Sequence, residues 1–428
     1  MQLFATILEE TAEAALRVVR ELREDCDGIE VRAESFASLD LHALRAATAK
    51  PLILTYRGAE VPDARAAFEA GIDFVDVEWR EDVEIVDPAR TVLSHHDYEG
   101  MRDVEQIVAA MRARGCAHTK LAATPRNFAD NERLLALLAP SVSVIGMSER
   151  GLYSRILAPF RGSALTFVAA TNLAAPGQLT LERALAIYGD DRANLRAEKV
   201  FAVAGNPAGH SLSPSIHNAL FRAKGVSAAY TIASVESFAE LTDAFLRGEP
   251  CGLSVTAPFK DDAFAFATSI GAELGVHALR ARAVNTLVNL GERILADNTD
   301  VDGFATLIAQ LAPRPVRAAI VGAGGTARAA RVALEDAGIA CTTYNRTASK
   351  ADAPLDALAS SGADLIINTL PAGARVDIPL CRAYIEAAYS AAPRESVDSG
   401  TRIDGLALLH AQAQRQHELF MRVFEHGS

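Results

Sequence analysis

Cysteine is scarce and scattered. The five present (Cys26, Cys116, Cys251, Cys341, Cys381) form no C-x-x-C pair and fall in no His-rich spacing. That argues against a structural zinc site or any other metal centre and points to a reducing compartment rather than a disulfide framework. Positive charge is also in deficit: 42 Lys and Arg against 54 Asp and Glu leave a net charge of -12. Neither nucleic acid nor an anionic membrane is the expected partner of such a chain, although a local cluster of Arg and Lys can still hold an anionic small molecule. No apolar run is long enough to span a bilayer. The opening residues, Met1 to Glu10, lack the basic segment of a signal peptide. Internal repeats, low-complexity tracts and helix-turn-helix signals are missing too. The expectation is a soluble, cytoplasmic protein of several domains, since 428 residues, half of them hydrophobic, suffice for two or three cores.

What is present begins with a rhythm. Strand-like runs fall at Leu3–Leu8, Gly28–Arg32, Pro51–Arg57, Phe74–Glu78, Thr91–His96, Thr119–Thr124, Val142–Ser148 and Ala164–Ala170. Amphipathic segments such as Thr11–Arg23, Met101–Arg114 and Asp130–Leu138 lie between them. Eight strands, seven intervening helices and an eighth helix after Leu179 make an α/β pattern that fits a (β/α)8 TIM barrel; an open doubly wound sheet shares the alternation. The polar residues favour the barrel. Glu30, Arg32, Arg57, Glu78, His95, His96, Lys120, Ser148 and Gln178 stand at or just beyond strand ends, and a barrel gathers those ends around one pocket. Lys120 lies in an otherwise apolar strand, where desolvation would leave part of the amine neutral, as Schiff-base formation requires. His96, one strand earlier, is placed to carry a proton. Arg32 and Arg57 can hold a carboxylate and hydroxyls.

Around Tyr188–Lys199 the chain turns charged and loses its apolar period, marking a domain boundary. Beyond it, Gly205-Asn-Pro-Ala-Gly-His-Ser-Leu-Ser-Pro-Ser-Ile-His-Asn218 presents the hydroxyls of Ser211 and Ser213 on an exposed loop. The pair suits a polyhydroxylated or carboxylated ligand, and a turn followed by a helix N-cap explains it equally well. Leu253–Lys260 reads as a strand ending in a proline turn that throws Lys260 outward, and Ala283–Leu287 as a short strand carrying the amide of Asn285. Asp300 sits at a turn before a helix. Taken singly, Asp300 reads as an N-cap and Lys260 as a surface charge. The strongest physical signal is Ala318–Ala329, a strand running into Gly322-x-Gly324-Gly325-x-Ala327 and then a helix. Its backbone N–H groups can approach a pyrophosphate at the helix N-terminus. The next strand ends at Asn345 without an acid for a ribose hydroxyl; Arg346 and Lys350 follow and favour a 2′-phosphate, hence NADP.

Two resemblances take these readings further. Ser94-His-His-Asp-Tyr98, Lys120-Leu-Ala122, Met147-Ser148, Ser154-Arg-Ile156, Gly162-Ser163 and Ala175-Pro-Gly-Gln178 resemble, in order and spacing, the type I 3-dehydroquinate dehydratases. That implies a Schiff-base TIM barrel over residues 1–192. Lys120 would form an imine with the substrate ketone and His96 would move the proton, giving 3-dehydroshikimate. Glu30, Arg32, Arg57, Arg155 and Gln178 fall on substrate-binding positions, with Arg155 facing the carboxylate. The sequence departs from that pattern in a short loop after Arg57, in Ala174 replacing a serine, and in Glu60, which comes three residues after Arg57 rather than four. Glu60 is the expected orienting partner of His96.

His210-Ser-Leu-Ser-Pro214, Val255-Thr-x-Pro-x-Lys260, Val284-Asn-Thr286, Asn298-Thr-Asp300, Gly322–Ala327, Asn345-Arg-Thr347, Asn368-Thr369 and Gln412 resemble the shikimate dehydrogenases over residues 198–428. That implies a substrate-binding part (about 198–300), a Rossmann part (about 301–405) and a C-terminal helix (406–428) returning to the substrate part, with catalysis in the cleft between the parts. Ser211, Ser213, Thr256, Asn285 and Gln412 would bind substrate, and Lys260 and Asp300 would form the catalytic pair. Gly322, Gly324, Gly325, Thr326, Ala327, Asn345, Arg346, Thr347 and Lys350 would hold NADP. Ser254 replaces a commoner asparagine at a substrate-facing position, and the segment between Tyr389 and Gly405 is compressed. The product of the first reaction is the substrate of the second, so the joint expectation is a bifunctional shikimate-pathway enzyme acting on small molecules. The alternatives are a chain with one active half, a dehydrogenase shifted toward quinate, and a ligand-sensing regulator. The presence of His96, Lys120, Lys260 and Asp300 together opposes the regulator.

Overall fold

Eight short, largely buried strands open the chain: β1 (Gln2–Ile7), β2 (Gly28–Arg32), β3 (Leu52–Thr55), β4 (Phe74–Glu78), β5 (Thr91–Asp97), β6 (His118–Ala123), β7 (Val142–Gly146) and β8 (Leu165–Ala169). They pair in parallel in the order β7-β6-β5-β4-β3-β2-β1-β8, with Thr6 opposite Glu30 and Ser94 opposite Lys120. This is the expected barrel. The computed structural model describes residues 1–22, 25–36, 38–57, 63–389 and 399–425. It divides into two compact units, Met1–Leu241 and Thr242–Ser428.

Helices α1 (Ala12–Glu21), α2 (Leu41–Ala47), α3 (Ala64–Glu69), α4 (Val104–Ala113), α5 (Phe128–Ala136), α6 (Leu152–Leu157) and α7 (Leu181–Tyr188) join or follow the strands. Thr11, Asp40, Asp63, Asn127 and Thr180 start five of them, each side chain accepting a backbone N–H from three residues on. One expected helix is missing. Residues 79–90 make only a 3-10 turn at Pro88–Arg90, because the twelve-residue connection carries Val83, Ile85 and Val86 and then Asp87 before a proline, where helical backbone is disfavoured. Phe4 and Phe167, with ring centroids 5.9 Å apart, pack with Ile53, Val92, Ala122, Ile145 and Met147. Position 28 requires glycine because a Cβ there would lie 2.3 Å from the Phe4 ring.

The ring of strands is not closed by backbone pairing, since β7 and β8 stand at opposite ends of the order. A side chain bridges them. Ser143 Oγ on β7 donates to Leu165 O on β8 (2.9 Å) and accepts from Leu165 N (3.1 Å), with His118 Nε2 at 2.8 Å. Burial pushes the His118 imidazole down to about 4 from an ordinary 6.5. The folded state therefore holds this ring neutral. As pH falls from about 6.5 toward 4, the unfolded chain takes up a proton that the folded chain refuses, and stability drops by up to about 3 kcal/mol. Melting temperatures of the wild type and His118→Gln, measured from pH 7.5 to 4.5, should converge toward the acid end; parallel curves would refute this role.

The first unit continues through β9 (Lys199–Gly205), α8 (Ser213–Lys224) and β10 (Ala228–Ser234), with β9 and β10 parallel. These elements pack on the barrel's helices. Thr231 Oγ1 on β10 donates to Tyr153 O of α6 (3.1 Å), and Arg222 on α8 donates to Ile187 O of α7 (2.6 Å). The charged segment expected as a boundary is itself tied down, Arg192 pairing with Asp27 at 2.9 Å. By compactness this unit runs on to Leu241, within helix α9 (Ala239–Leu246).

In the second unit, β11 (Gly252–Val255), α10 (Lys260–Ser269), β12 (Glu273–Leu274), α11 (Val276–Ala281), β13 (Thr286–Asn289), β14 (Ile294–Asp297) and α12 (Asp300–Ala309) come first. β13 runs antiparallel to both β11 and β14. Next come β15 (Arg317–Val321), α13 (Gly325–Asp336), β16 (Ala340–Asn345), β17 (Ala353–Pro354), β18 (Leu365–Asn368), β19 (Cys381–Glu386) and β20 (Ser399–Ile403), which form a parallel sheet in the order β17-β16-β15-β18-β19-β20. The order reverses at β15, the place where such sheets open a crevice for a ligand. Phe304, Ile320, Ala330, Leu334, Ile367 and Ile385 build its core. The last helix, α14 (Gly405–Glu425), packs along α12 and against β13. Among the described residues no helix is long and apolar enough to cross a membrane.

Candidate active sites

Lys120 on β6 is buried, and its Nζ donates to Glu30 Oε1 on β2 (3.0 Å) and Asp76 Oδ2 on β4 (3.1 Å). The Phe167 ring centroid lies 3.7 Å away. The expectation of an apolar setting needs correcting: the apolar sequence neighbours alternate away, and the strands across the ring supply two carboxylates. Glu30 also accepts from Thr6 Oγ1 (2.7 Å) and Thr55 Oγ1 (2.9 Å). Burial alone would raise its carboxyl, but the Lys120 and Arg57 charges and the Thr6 hydrogen bond together hold it below its ordinary value. Asp76 likewise would be raised by burial, and the Arg57 and Lys120 charges hold it far below the carboxylate range. Arg57 grips it through two bonds of 2.7 and 2.8 Å.

His96 meets one partner twice: Glu78 accepts from its backbone N (2.9 Å) and sits 2.7 Å from its ring Nδ1. Burial pushes the His96 ring down, so it is neutral near pH 7. With Nδ1–H committed to Glu78, Nε2 is left as the acceptor. Glu60 lies outside the described residues; Glu78 orients the ring. Asp76 and Glu78 are two apart on β4 and therefore share a face, a signal that marks both as interior carboxylates.

The two arginines read as substrate clamps are engaged by protein carboxylates, Arg57 with Asp76 and Arg32 with Glu34. Arg155, on α6, differs. It is buried, burial lowers it to about 10, and its Nε and Nη1 find no partner among the described residues. A buried guanidinium without a counter-charge is costly unless an anion joins it. Gln178 accepts from Ala174 N (2.8 Å) and donates to Thr6 Oγ1 (3.3 Å), the threonine that holds Glu30. One bonded network thus contains Lys120, Glu30, Arg57 and Gln178, and Glu78 links His96 to it through a 3.8 Å contact with Arg57; Arg32 and Arg155 stand outside.

Ser211 and Ser213 are buried rather than exposed. Ser211 Oγ accepts from Ser213 N (3.2 Å), and α8 starts there with Pro214 in its first turn. The turn expected as one alternative is formed, but not its N-cap: Leu212 holds that position and no side chain caps the helix.

In the second unit Lys260 Nζ pairs with Asp300 Oδ2 and donates to Thr326 Oγ1 (2.8 Å). Asp300 Oδ1 accepts from Asn285 Nδ2 (2.8 Å), and Asn285 Oδ1 accepts from Thr299 N (2.8 Å). Thr299 Oγ1 in turn donates to Gln412 Oε1 (3.2 Å). Lys260, Asp300, Asn285, Gln412 and Thr326 are therefore joined. Asp300 begins α12 but spends its side chain on the lysine rather than on a cap. Thr256 follows β11, its carbonyl accepting from Phe259 N at 3.0 Å. Ser254 is buried and donates to Gln416 Oε1 on α14 (2.6 Å), whereas the sequence placed it toward substrate. Gln416, one helical turn after Gln412, also donates to Thr286 Oγ1 (2.8 Å); sequence reasoning missed it.

Gly322 (φ +113°) follows β15 directly, and a Cβ there would meet Thr369 Oγ1 at 2.4 Å. Gly324 precedes α13, and no side chain caps that helix's first turn. A cleft of about 770 Å³ opens there, lined by Gly324, Ala327, Arg331, Asn345, Thr347 and Lys350 among others; Arg346 is exposed just after β16. Uncapped N–H groups at the start of a twelve-residue helix fit a pyrophosphate, and the cations beyond β16 fit a further phosphate. Arg331, also unread from the sequence, reaches Thr343 Oγ1 (2.6 Å) and pairs with Asp352 on the cleft wall.

Fold and geometry define a chain with two separate centres, a buried lysine–histidine site in a parallel barrel and a lysine–aspartate pair beside a dinucleotide-type fold. Residues 3–194 match the family model for type I 3-dehydroquinase, and residues 203–287 that for the shikimate dehydrogenase substrate binding domain. The shikimate dehydrogenase (NADP(+)) of Vibrio campbellii is 37% identical over 198 residues, 42% of this chain and 70% of that protein. The bifunctional 3-dehydroquinate dehydratase/shikimate dehydrogenase, chloroplastic, of Arabidopsis thaliana is 28% identical over 67% of this chain and 52% of its own length. The pentafunctional AROM polypeptide of Lachancea thermotolerans is 30% identical over 78% of this chain. The solved structure described as dehydroquinate dehydratase and shikimate dehydrogenase from S. pombe AroM aligns over 99% of this chain and 98% of that one, at 22% identity and a TM-score of 0.41. The chain belongs to the shikimate dehydrogenase family, with a type I 3-dehydroquinase domain ahead of the dehydrogenase. It spans about half the length of the Arabidopsis relative and 23% of the fungal one.

Proposed function

We propose that the chain catalyses two consecutive steps in the cytoplasm: dehydration of 3-dehydroquinate to 3-dehydroshikimate at Lys120, and NADPH-dependent reduction of that product to shikimate at Lys260. The observation that carries the first step is a buried lysine held between carboxylates, with a neutral histidine whose ring is oriented by Glu78. Nζ of Lys120 adds to the substrate ketone, and loss of water gives an imine. Nε2 of His96 takes the proton from the adjacent carbon and returns it to the departing hydroxyl; water then hydrolyses the imine and restores the lysine. Arg155 is the cation for the substrate carboxylate, and Glu30, Arg32, Arg57 and Gln178 surround the remainder.

For the second step, the nicotinamide of NADPH supplies hydride to the ketone carbon when bound. Lys260 delivers the proton to the carbonyl oxygen, and Asp300, fixed by Asn285, holds the ammonium in place. Ser211, Ser213, Thr256, Asn285 and Gln412 bind the hydroxyls and carboxylate. Gly322, Gly324, Gly325, Thr326 and Ala327 receive the pyrophosphate, and Asn345, Arg346, Thr347 and Lys350 the 2′-phosphate. On this reading the functional boundary lies near residues 192–198, with the second half divided near 300 and 405. The test is one assay on purified protein. With 3-dehydroquinate alone, the ultraviolet absorbance of the conjugated enone should appear; added NADPH should then be oxidised. Lys260→Ala should leave the first signal and slow the second by about 10² to 10⁴-fold. Enone formation without NADPH oxidation in the wild type would refute the second half.

A further inference from the structure

The loop that carries Ser211 is fastened to the barrel by two charged side chains. Glu149 follows Ser148 (φ +64°) at the C-terminal end of β7. That corner is itself fixed: Ser148 N donates to Pro176 O (3.0 Å), and a Cβ on Gly177 would lie 2.3 Å from Ser148 O. From there one oxygen, Glu149 Oε1, accepts from Ala208 N (2.7 Å), Gly209 N (2.6 Å) and Ser234 Oγ (3.0 Å). Gly209 comes so near that a Cβ would lie 2.8 Å from Glu149 Cγ. On the far side of the same turn, Arg183 of α7 donates from Nη2 to Ser211 O (3.0 Å), while Ser211 N donates to Ala208 O (2.9 Å). The turn is thus held at its N–H groups by an anion and at its carbonyl by a cation.

We propose that Glu149 and Arg183, though they stand on barrel elements, are positioning residues for the dehydrogenase reaction. They set where the Ser211 and Ser213 hydroxyls point and thereby the affinity for its substrate. The inference rests on the reading that these serines bind that substrate. Charge-assisted bonds to backbone are stronger than neutral ones, and neither residue takes part in the reaction itself, so their loss acts on binding rather than on the chemical step.

The test uses the full chain and shikimate oxidation with NADP⁺. Glu149→Ala should raise the KM for shikimate about tenfold, with kcat and the KM for NADP⁺ within about twofold of wild type. Glu149→Gln keeps an acceptor oxygen and should recover most of the loss. Arg183→Met, which removes the bond to Ser211 O, should raise the same KM by a smaller factor and serves if Glu149→Ala does not fold. An unchanged KM for shikimate in Arg183→Met and in folded Glu149→Ala overturns the proposal. So does a parallel fall in kcat and melting temperature that Glu149→Gln fails to rescue. A wild-type chain that reduces NADP⁺ with no shikimate-like substrate overturns the dehydrogenase reading and this inference together; an active wild type with indifferent variants overturns this inference alone.

Discussion

Lys120→Ala is expected to lower dehydration of 3-dehydroquinate by a factor on the order of 10⁴ or more, while reduction of supplied 3-dehydroshikimate continues. The size of the effect follows from chemistry: without Nζ no imine forms, and the proton that His96 must remove loses its activation. The substitution has a second effect. Glu30 and Asp76 are buried and both accept from that ammonium; removing it strands the Glu30 carboxylate and leaves Asp76 with Arg57 as its cation. Breaking a buried pair by deleting one partner costs about 3–5 kcal/mol, so the variant should also melt earlier and become more acid-tolerant as the stranded Glu30 carboxylate protonates. Lys120→Arg separates the two effects, restoring the cation without a usable nucleophile. Assaying both reactions on all three proteins decides the matter: dehydration surviving in Lys120→Arg at wild-type rate would sink the imine mechanism.

Asp76→Asn is the second large effect. Asp76 is fully buried and accepts from Arg57, Lys120 and Ser94. The amide keeps the shape but removes the charge that balances two cations, so a loss of about 3–5 kcal/mol is expected, about 10 °C in melting temperature for a unit of this size. The sign in pH follows from the depressed carboxyl. Its contribution is fully present above the ordinary carboxylate value and is lost as pH falls toward the lower folded-state value. Wild type and variant should therefore differ most near neutrality and approach each other in acid. Calorimetric scans at pH 7 and pH 3 would show it; equal melting points at pH 7 would refute the pairing.

Much of this was legible because the relevant signals are local. Strand runs Gly28–Arg32 and Phe74–Glu78 agree with the observed strands to the residue, and Lys120, His96, Lys260 and Asp300 stand out as charges beside apolar runs. What failed depends on register across the ring or between distant segments. Glu78 was legible as a strand-end acid, yet its bond to His96 is fixed by the pairing of β4 with β5. Arg57 was legible as a cation, and its commitment to Asp76 needed the neighbouring strand. Ser254 reads as a site residue until α14, more than 150 positions away, brings Gln416 to it. The compressed segment before Gly405 lies largely outside the described residues.

All six residues of α6 are buried, with the barrel's β7 on one side and β10 on another. The helix also bears Arg155. A single inherited change there, in Leu152, Tyr153 or Ile156, would be felt by both halves at once. On the proposed reading, selection on either reaction would guard this helix on behalf of the other, and a cut of the chain near residue 195 would bare the surface that α6 and β10 share.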